Sequence, residues 1–282
     1  MQESIPSRTA LRVALRRAAH QLLDWPKVLD DPLAVPIVGA AVSEIHADPT
    51  RHTTRFAKHF RAFMVARSRY AEDQLAGCVA QGVQQYVILG AGLDTSAYRG
   101  IATNGVTTFE VDHPNTQTWK QERLKWANIP IPALVRFVSV DFERQELAAR
   151  LEAGGFRSDQ PAMISWLGVV PYLTKEAAAS TLAFIGKLPQ GSGVVFDYAV
   201  PRWSLGLLER WALDALARRV ARAGEPFRLF FAPEELNALL RECGFQRIEQ
   251  LAAKEINDRY FADRQDGLRV AGSAGRLASA WT

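Results

Sequence analysis

Tyr86-Val-Ile-Leu-Gly-Ala-Gly-Leu-Asp-Thr95 is the stretch on which the reading of this chain turns. An apolar, β-branched run that breaks into Gly-x-Gly reads as a buried strand ending in a tight turn. Glycine suits that turn because a residue without Cβ takes positive φ and lets a ligand lie against the peptide planes. The first ligand it implies is nucleotide-like.

What the stretch lacks narrows the ligand further. The dinucleotide fingerprint G-x-G-x-x-G needs a third glycine where this chain has Thr95. A phosphate loop needs positive potential at the following helix N-terminus, where Asp94 places a carboxylate. Asp94 also reads as the N-cap of a helix from Thr95 to Ile101, and both readings disfavour a phosphate. A cofactor with an adenosine and no phosphate remains, and S-adenosylmethionine is the common one.

The 282 residues and 48% hydrophobic content are enough for a substantial core. Cys78 and Cys243 are far apart and show no metal-ligand spacing, so they read as small hydrophobes of a reducing compartment. The start has no apolar signal core and no run reaches the ~20 apolar residues of a membrane span. A soluble, cytoplasmic protein with no membrane partner is expected. The net charge of +4 permits nucleic-acid binding without arguing for it, and no nucleic-acid partner is expected. Two arginine clusters stand out, Arg8, Arg12, Arg16 and Arg17 at helical spacing, and Arg202, Arg210, Arg218, Arg219, Arg222 and Arg228. Each reads as a solvated helix face or as attraction for an acidic substrate.

Along the chain, residues 8 to 24 form an amphipathic helix, Pro32 and Pro36 punctuate an irregular connection, and Thr54 to Gln81 form a long helix stopped by Gly82. His46, His52 and His59 lack the acidic or thiolate companions of a closed metal site. Arg67 and Arg69 lie mid-helix; each can fork onto a ligand carboxylate or pair with Glu72 and Asp73. Strands at Tyr86–Leu89, Thr107–Val111, Leu134–Val140, Ala162–Trp166 and Gly193–Tyr198 then alternate with helices at 95–101, 114–128, 143–153 and 175–188. That alternation predicts a parallel sheet with helices on both faces and ligands at the carboxyl ends of its strands. An insertion, 201 to 231, carries a helix over Leu205–Ala223 whose Leu208, Trp211, Ala215 and Leu216 share a face. A helix from Pro233 and strands at Gln246–Leu251 and Leu268–Ala271 close the sheet.

The strand ends agree in chemistry. Asp112 ends the second strand 22 positions after Gly90, near the ~20-residue offset at which an acid meets a ribose diol. Asp141 ends the third and can accept from an adenine amino group, with Phe142 covering the ring. Helix capping explains either aspartate alone.

Ala66-Arg-Ser-Arg-Tyr-Ala-Glu-Asp73, Val87-Ile-Leu-Gly-Ala-Gly-Leu-Asp-Thr95, Phe109-Glu-Val-Asp-His-Pro114, Val140-Asp-Phe142 and Trp166-Leu-Gly-Val-Val-Pro-Tyr-Leu173 follow in order. With them the chain resembles the leucine carboxyl methyltransferase family, and more closely its bacterial branch of S-adenosylmethionine-dependent methyltransferases, from about residue 30 to the last strand. The resemblance implies a single α/β domain of class I methyltransferase (Rossmann-like) fold: a seven-stranded, mostly parallel sheet with an antiparallel last hairpin. It divides into a helical cap (1–82), a cofactor-binding core (83–200), a helical lid insertion (201–232) and the end of the sheet (233–282). It further implies that Arg67 holds the methionine carboxylate, Gly90, Ala91 and Gly92 line the cofactor, Asp112 binds the ribose, and Asp141 and Phe142 bind the adenine. Where many members read Glu-Gly at the fourth strand end, this chain has Leu167-Gly168.

Methyl transfer from a sulfonium needs proximity and alignment, so no catalytic residue is required for an acidic acceptor. His113 reads as a structural residue or as a base for a hydroxyl acceptor. Tyr172, Tyr198 and Arg202 are candidates for the acceptor pocket, and the expected acceptor is a small-molecule carboxylate. The alternatives are a non-catalytic S-adenosylmethionine binder or interaction protein, and a methyltransferase acting on hydroxyl, nitrogen or RNA acceptors, although no RNA-binding module is seen. The sequence does not specify an oligomeric state.

Overall fold

In the computed structural model, residues 8–100, 105–140, 145–221 and 226–282 are described. Seven strands make one sheet: β1 (Gln85–Leu89), β2 (Thr107–Asp112), β3 (Val135–Ser139), β4 (Ala162–Trp166), β5 (Gly193–Ala199), β6 (Arg247–Leu251) and β7 (Gly275–Trp281). Their order is β3-β2-β1-β4-β5-β7-β6. The first five run parallel, and β7 is antiparallel to both β5 and β6. The order reverses between β1 and β4, which puts the switch point directly beyond the Gly-x-Gly turn.

All five residues of β1 are buried, as both faces of a covered parallel strand require. The period of two divides them: Val87 and Leu89 pack on one face, Tyr86 and Ile88 on the other. The first face is covered by α8 (Lys175–Gly186) and α10 (Pro233–Glu242), through Ala178, Leu182, Ile185, Leu236 and Leu240. The second is covered by α5 (Arg55–Ala80), through Ala62, Val65, Tyr70 and Leu75. α5 starts on Thr54, whose hydroxyl accepts from the Ala57 amide.

The amino-terminal helices form a third cluster, in which α1 (Arg8–Leu23) and α2 (Ala34–Val38) pack on α6 (Pro114–Trp126). Short helices α3 (Ser43–Ala47) and α4 (Pro49–Thr53) lead into α5. A buried polar staple ties α1 to α5. Arg61 forks onto both oxygens of Asp24 at 2.7 Å, and His20 Nδ1 lies 2.9 Å from the same carboxylate. The Val28 and Leu29 amides donate to His20 Nε2, which leaves Nδ1 as the ring nitrogen facing Asp24. Among the described residues no helix is long and apolar enough to cross a membrane.

Four expectations are corrected. Instead of a helix over 95–101, the described residues there form only one 3-10 turn, Ser96–Tyr98. Its polar groups are engaged elsewhere: Thr95 donates to Asp31, and Arg99 pairs with Glu72 and Asp31. The last strand is Gly275–Trp281, not Leu268–Ala271. Leu268 and Val270 are buried, but their amides are taken by the side chains of Asp266 and Asn257 rather than by a strand. Between β6 and β7 lies α11 (Ala253–Tyr260), absent from the sequence reading, and β3 is followed by α7 (Leu147–Ala153). Finally, α9 (Leu207–Ala221) turns the face carrying Leu208, Trp211 and Ala215 to solvent, with Leu216 half-buried at the edge of that face.

Candidate functional site

Four strand ends and α5 meet in one continuous crescent. At its first end Asp112 accepts from the Gly92 amide at 2.6 Å and from the His113 amide at 2.7 Å, tying the end of β2 to the Gly-x-Gly turn. Burial pushes the Asp112 carboxyl above its ordinary range, partly offset by those two amides. Gly90 and Ala91 both donate to Val111 O, at 2.8 and 3.1 Å, which anchors the turn on the same strand.

Positive φ is required at this turn, and close approach explains it. Gly90 has φ +69°, and a Cβ there would lie 2.4 Å from Val169 Cγ2, beyond β4. Gly92, at φ +45°, would place a Cβ 3.1 Å from Ala10 Cβ, so α1 lies against the front of the turn. At the far end of the crescent Gly168, after β4, donates to Asp197 Oδ1 at 2.5 Å, and Arg67 of α5 donates to Asp197 Oδ2 at 3.0 Å. Both charged side chains are buried. The crescent thus runs from a carboxylate, Asp112, through bare backbone, to a guanidinium, Arg67.

Gly168 has φ +71°, and a Cβ on it would sit 2.9 Å from Arg67 Nη2. The guanidinium occupies the space a side chain would need. Gly168→Ala is therefore expected to cost about 1–3 kcal/mol, from backbone strain and displacement of a buried cation. Urea unfolding measures it, and an unchanged midpoint would show that the end of β4 yields freely.

The loop after the turn is held from behind by a second buried network. Arg17 donates to Leu93 O at 2.5 Å and lies 3.4 Å from Asp31, which also pairs with Arg99; Arg99 in turn pairs with Glu72. Asp94 accepts from the Ser96 amide at 2.7 Å, a local side-chain turn and not the N-cap of a helix, since the cap position of the short 3-10 turn is Thr95. Burial raises the Asp94 carboxyl, but Arg17, Lys120 and the two Ser96 donors outweigh it and hold it below its ordinary value. Arg17 is accordingly buried structure, not part of a solvated face.

The remaining candidates divide. Leu167 is half-buried and packs with the α5 side of the core. Asp141 and Phe142 lie outside the described residues. Tyr172 is half-buried, its ring 5.3 Å from that of Phe227. Tyr198 does not line a pocket: it is 2% exposed, its hydroxyl donates to Gln250, and burial pushes its phenol up to about 12. Arg202 is exposed but forked onto Asp214 at 3.0 Å, so its charge is already matched. Arg69 pairs with Asp73 at 2.7 Å, the helix-surface reading. His113 caps α6, its Nδ1 accepting from the Asn115 amide at 3.3 Å. Asp197 was missed, although Phe196-Asp-Tyr198 carries the same signal, an acid at a strand end, that marks Asp112.

A separate basic cleft of about 480 Å³ lies between Arg55, Lys58 and His59 of α5 and residues 261–269. None of the crescent residues lines it. His59 is eight residues from Arg67, about 12 Å along the helix axis.

Sheet order and crescent together define a class I methyltransferase fold. The chain superposes on a Thermobifida fusca protein provisionally described as a methyltransferase, with TM-score 0.61 and 16% identity, covering 100% of this chain and 96% of that one. In sequence it is 32% identical to YktD of Bacillus subtilis (strain 168), provisionally named an S-adenosyl-L-methionine-dependent methyltransferase, over 95% of each chain. A similarly named Mycobacterium avium (strain 104) protein is 34% identical over 73% of this chain and 70% of its own. The leucine carboxyl methyltransferase family pattern matches residues 10–186. The chain belongs to the leucine carboxyl methyltransferase family.

Proposed function

We propose that this protein transfers a methyl group from S-adenosylmethionine to a carboxylate of a small molecule. The donor half follows from family membership and from the name of a relative matched over 95% of the chain. The observation that carries it here is the polarity of the crescent: a carboxylate suited to a diol at one end, a guanidinium suited to a carboxylate at the other, bare glycine backbone between. Asp197 engages Arg67 through Nη1, and a guanidinium offers five donors, so a ligand carboxylate can share the fork. Gly90, Ala91 and Gly92 would line the cofactor, Asp112 would accept from its ribose, and Asp141 and Phe142 are assigned to the adenine on the sequence pattern alone.

When bound, S-adenosylmethionine supplies an electrophilic methyl group on a sulfonium. The protein's part is to hold the acceptor oxygen in line and to exclude water. An ionised carboxylate needs no general base, which agrees with His113 serving as a helix cap. Leu167 offers no hydrogen bond where many family members carry Glu; the carboxylate at this end of the site is Asp197, one strand over.

The carboxylate assignment predicts an alkali-labile product. Methyl label from the donor should become volatile, as methanol, after mild base treatment. Label that survives base, or that is confined to RNA, rejects the ester while leaving the methyltransferase reading in place; no transfer in a single turnover despite cofactor binding favours a binding protein.

A further inference from the structure

α9 is amphipathic with its faces reversed. At 100° per residue Leu208, Trp211, Ala212 and Ala215 fall within one arc of about 100°, and all are exposed. Leu208 is 88% exposed, Trp211 76%, the adjoining Leu207 77% and, just before the helix, Trp203 72%. Glu209 and Arg210 lie off that arc and fix its orientation. Glu209 accepts from the Ser273 amide and hydroxyl, both at 2.8 Å, while Arg210 donates to Leu205 O and Trp203 O at 2.9 Å. Leu213, on the inner side, is buried. The helix is therefore pinned with its apolar side toward solvent, and that side does not turn back onto its own chain.

The four large side chains present on the order of 500 Å² of apolar surface, taking roughly 200 Å² for a free Trp and about two-thirds of that for a Leu. This lies toward the upper end of the ~300–600 Å² of the largest patch on a typical monomer, a patch that is often functional, and is more than half of the ~800 Å² that each partner buries in a standard interface. The patch is also self-complementary. Its bulky residues, Leu207, Leu208 and Trp211, lie toward the start of the helix, and its small ones, Ala212 and Ala215, follow. A two-fold axis beside Trp211 and Ala212, with the helices antiparallel, sets Leu208 against Ala215 of the second copy, large onto small, and brings the two Trp211 rings together on one flank of the axis. An isologous interface requires that reciprocity. No acidic residue lies on the arc.

We propose that α9 is the dimer interface of this protein, paired with α9 of a second copy. Light scattering on the purified chain should give twice the 31.3 kDa chain mass at tens of micromolar. Leu208→Glu and Trp211→Glu should each reduce it to the single-chain mass. Ala215→Arg should do so too, because it fills the hole while leaving every large apolar side chain in place. Circular dichroism and S-adenosylmethionine titration should be unchanged in all three, since none touches the crescent. A single-chain mass for the natural protein at about 100 μM overturns the proposal, as does a dimer that persists in the charged variants. So does a monomer that floats with phosphatidylglycerol vesicles and still floats with Ala215→Arg, which would assign the face to a membrane. The mass requires no bound cofactor, so its outcome stands apart from the methyltransferase reading.

Discussion

Arg67→Ala is expected to weaken S-adenosylmethionine binding by about 1.5–3 kcal/mol, on the order of 10- to 150-fold. The alanine removes the only cation that the described residues place on the crescent, and it leaves Asp197 buried with the Gly168 amide as a partner. Arg67→Lys should recover only part of the loss, because an ammonium cannot fork between Asp197 and a second carboxylate. Calorimetry on the three proteins decides it. Equal affinities with unaltered circular dichroism would mean that the Arg67–Asp197 pair only braces α5 against β5. Asp112→Ala is a less clean probe, since it also frees the Gly92 and His113 amides that shape the turn.

A larger effect, this time on stability, is expected from Arg61→Ala: about 3–5 kcal/mol, the range for leaving one partner of a buried ion pair without the other. Asp24 is 6% exposed, and Arg61 takes both of its oxygens. Burial pushes the Asp24 carboxyl up, but the Arg61 fork and His20 outweigh it and hold the carboxyl below its ordinary value. A depressed acid stabilises the fold above its unfolded pKa, and that contribution is lost as the pH falls below about 4, through the folded value. In Arg61→Ala the main lowering influence is gone, so the loss should begin at higher pH. Urea unfolding between pH 3 and 7 tests both parts, and a variant within a few tenths of a kcal/mol of the natural chain at pH 7 would refute them.

The parts of this molecule that were legible in its sequence are those governed by short spacings. The strand run before Gly90, the offset to Asp112 and the repeated strand–helix alternation follow from local rules, and the five parallel strands formed where those rules put them. Direction was not legible. Periodicity showed that Leu208, Trp211 and Ala215 share a face of α9, but which way that face points depends on Glu209 finding Ser273, 64 residues further on. Arg17 reads as surface by its charge and is buried because Leu93 O and Asp31 meet it from distant segments. Tyr198 was placed by its nearness to a strand end, yet Gln250, 52 residues away, claims its hydroxyl. The last strand was misplaced because Leu268 and Val270 look more strand-like than Ala-Ser-Ala, whose small side chains suit a strand flanked on both edges.

β7 is the last strand to be synthesised, yet it sits between β5 and β6, both made earlier. A nascent chain that has passed Leu251 holds two strands that cannot hydrogen-bond to each other in the final arrangement, with a gap between them until Gly275–Trp281 leaves the ribosome. Completing the sheet is therefore an insertion between two waiting edges. A chain interrupted between Leu251 and Gly275 carries both of these open strand edges at once, the kind of surface that templates pairing with other chains and that quality control recognises.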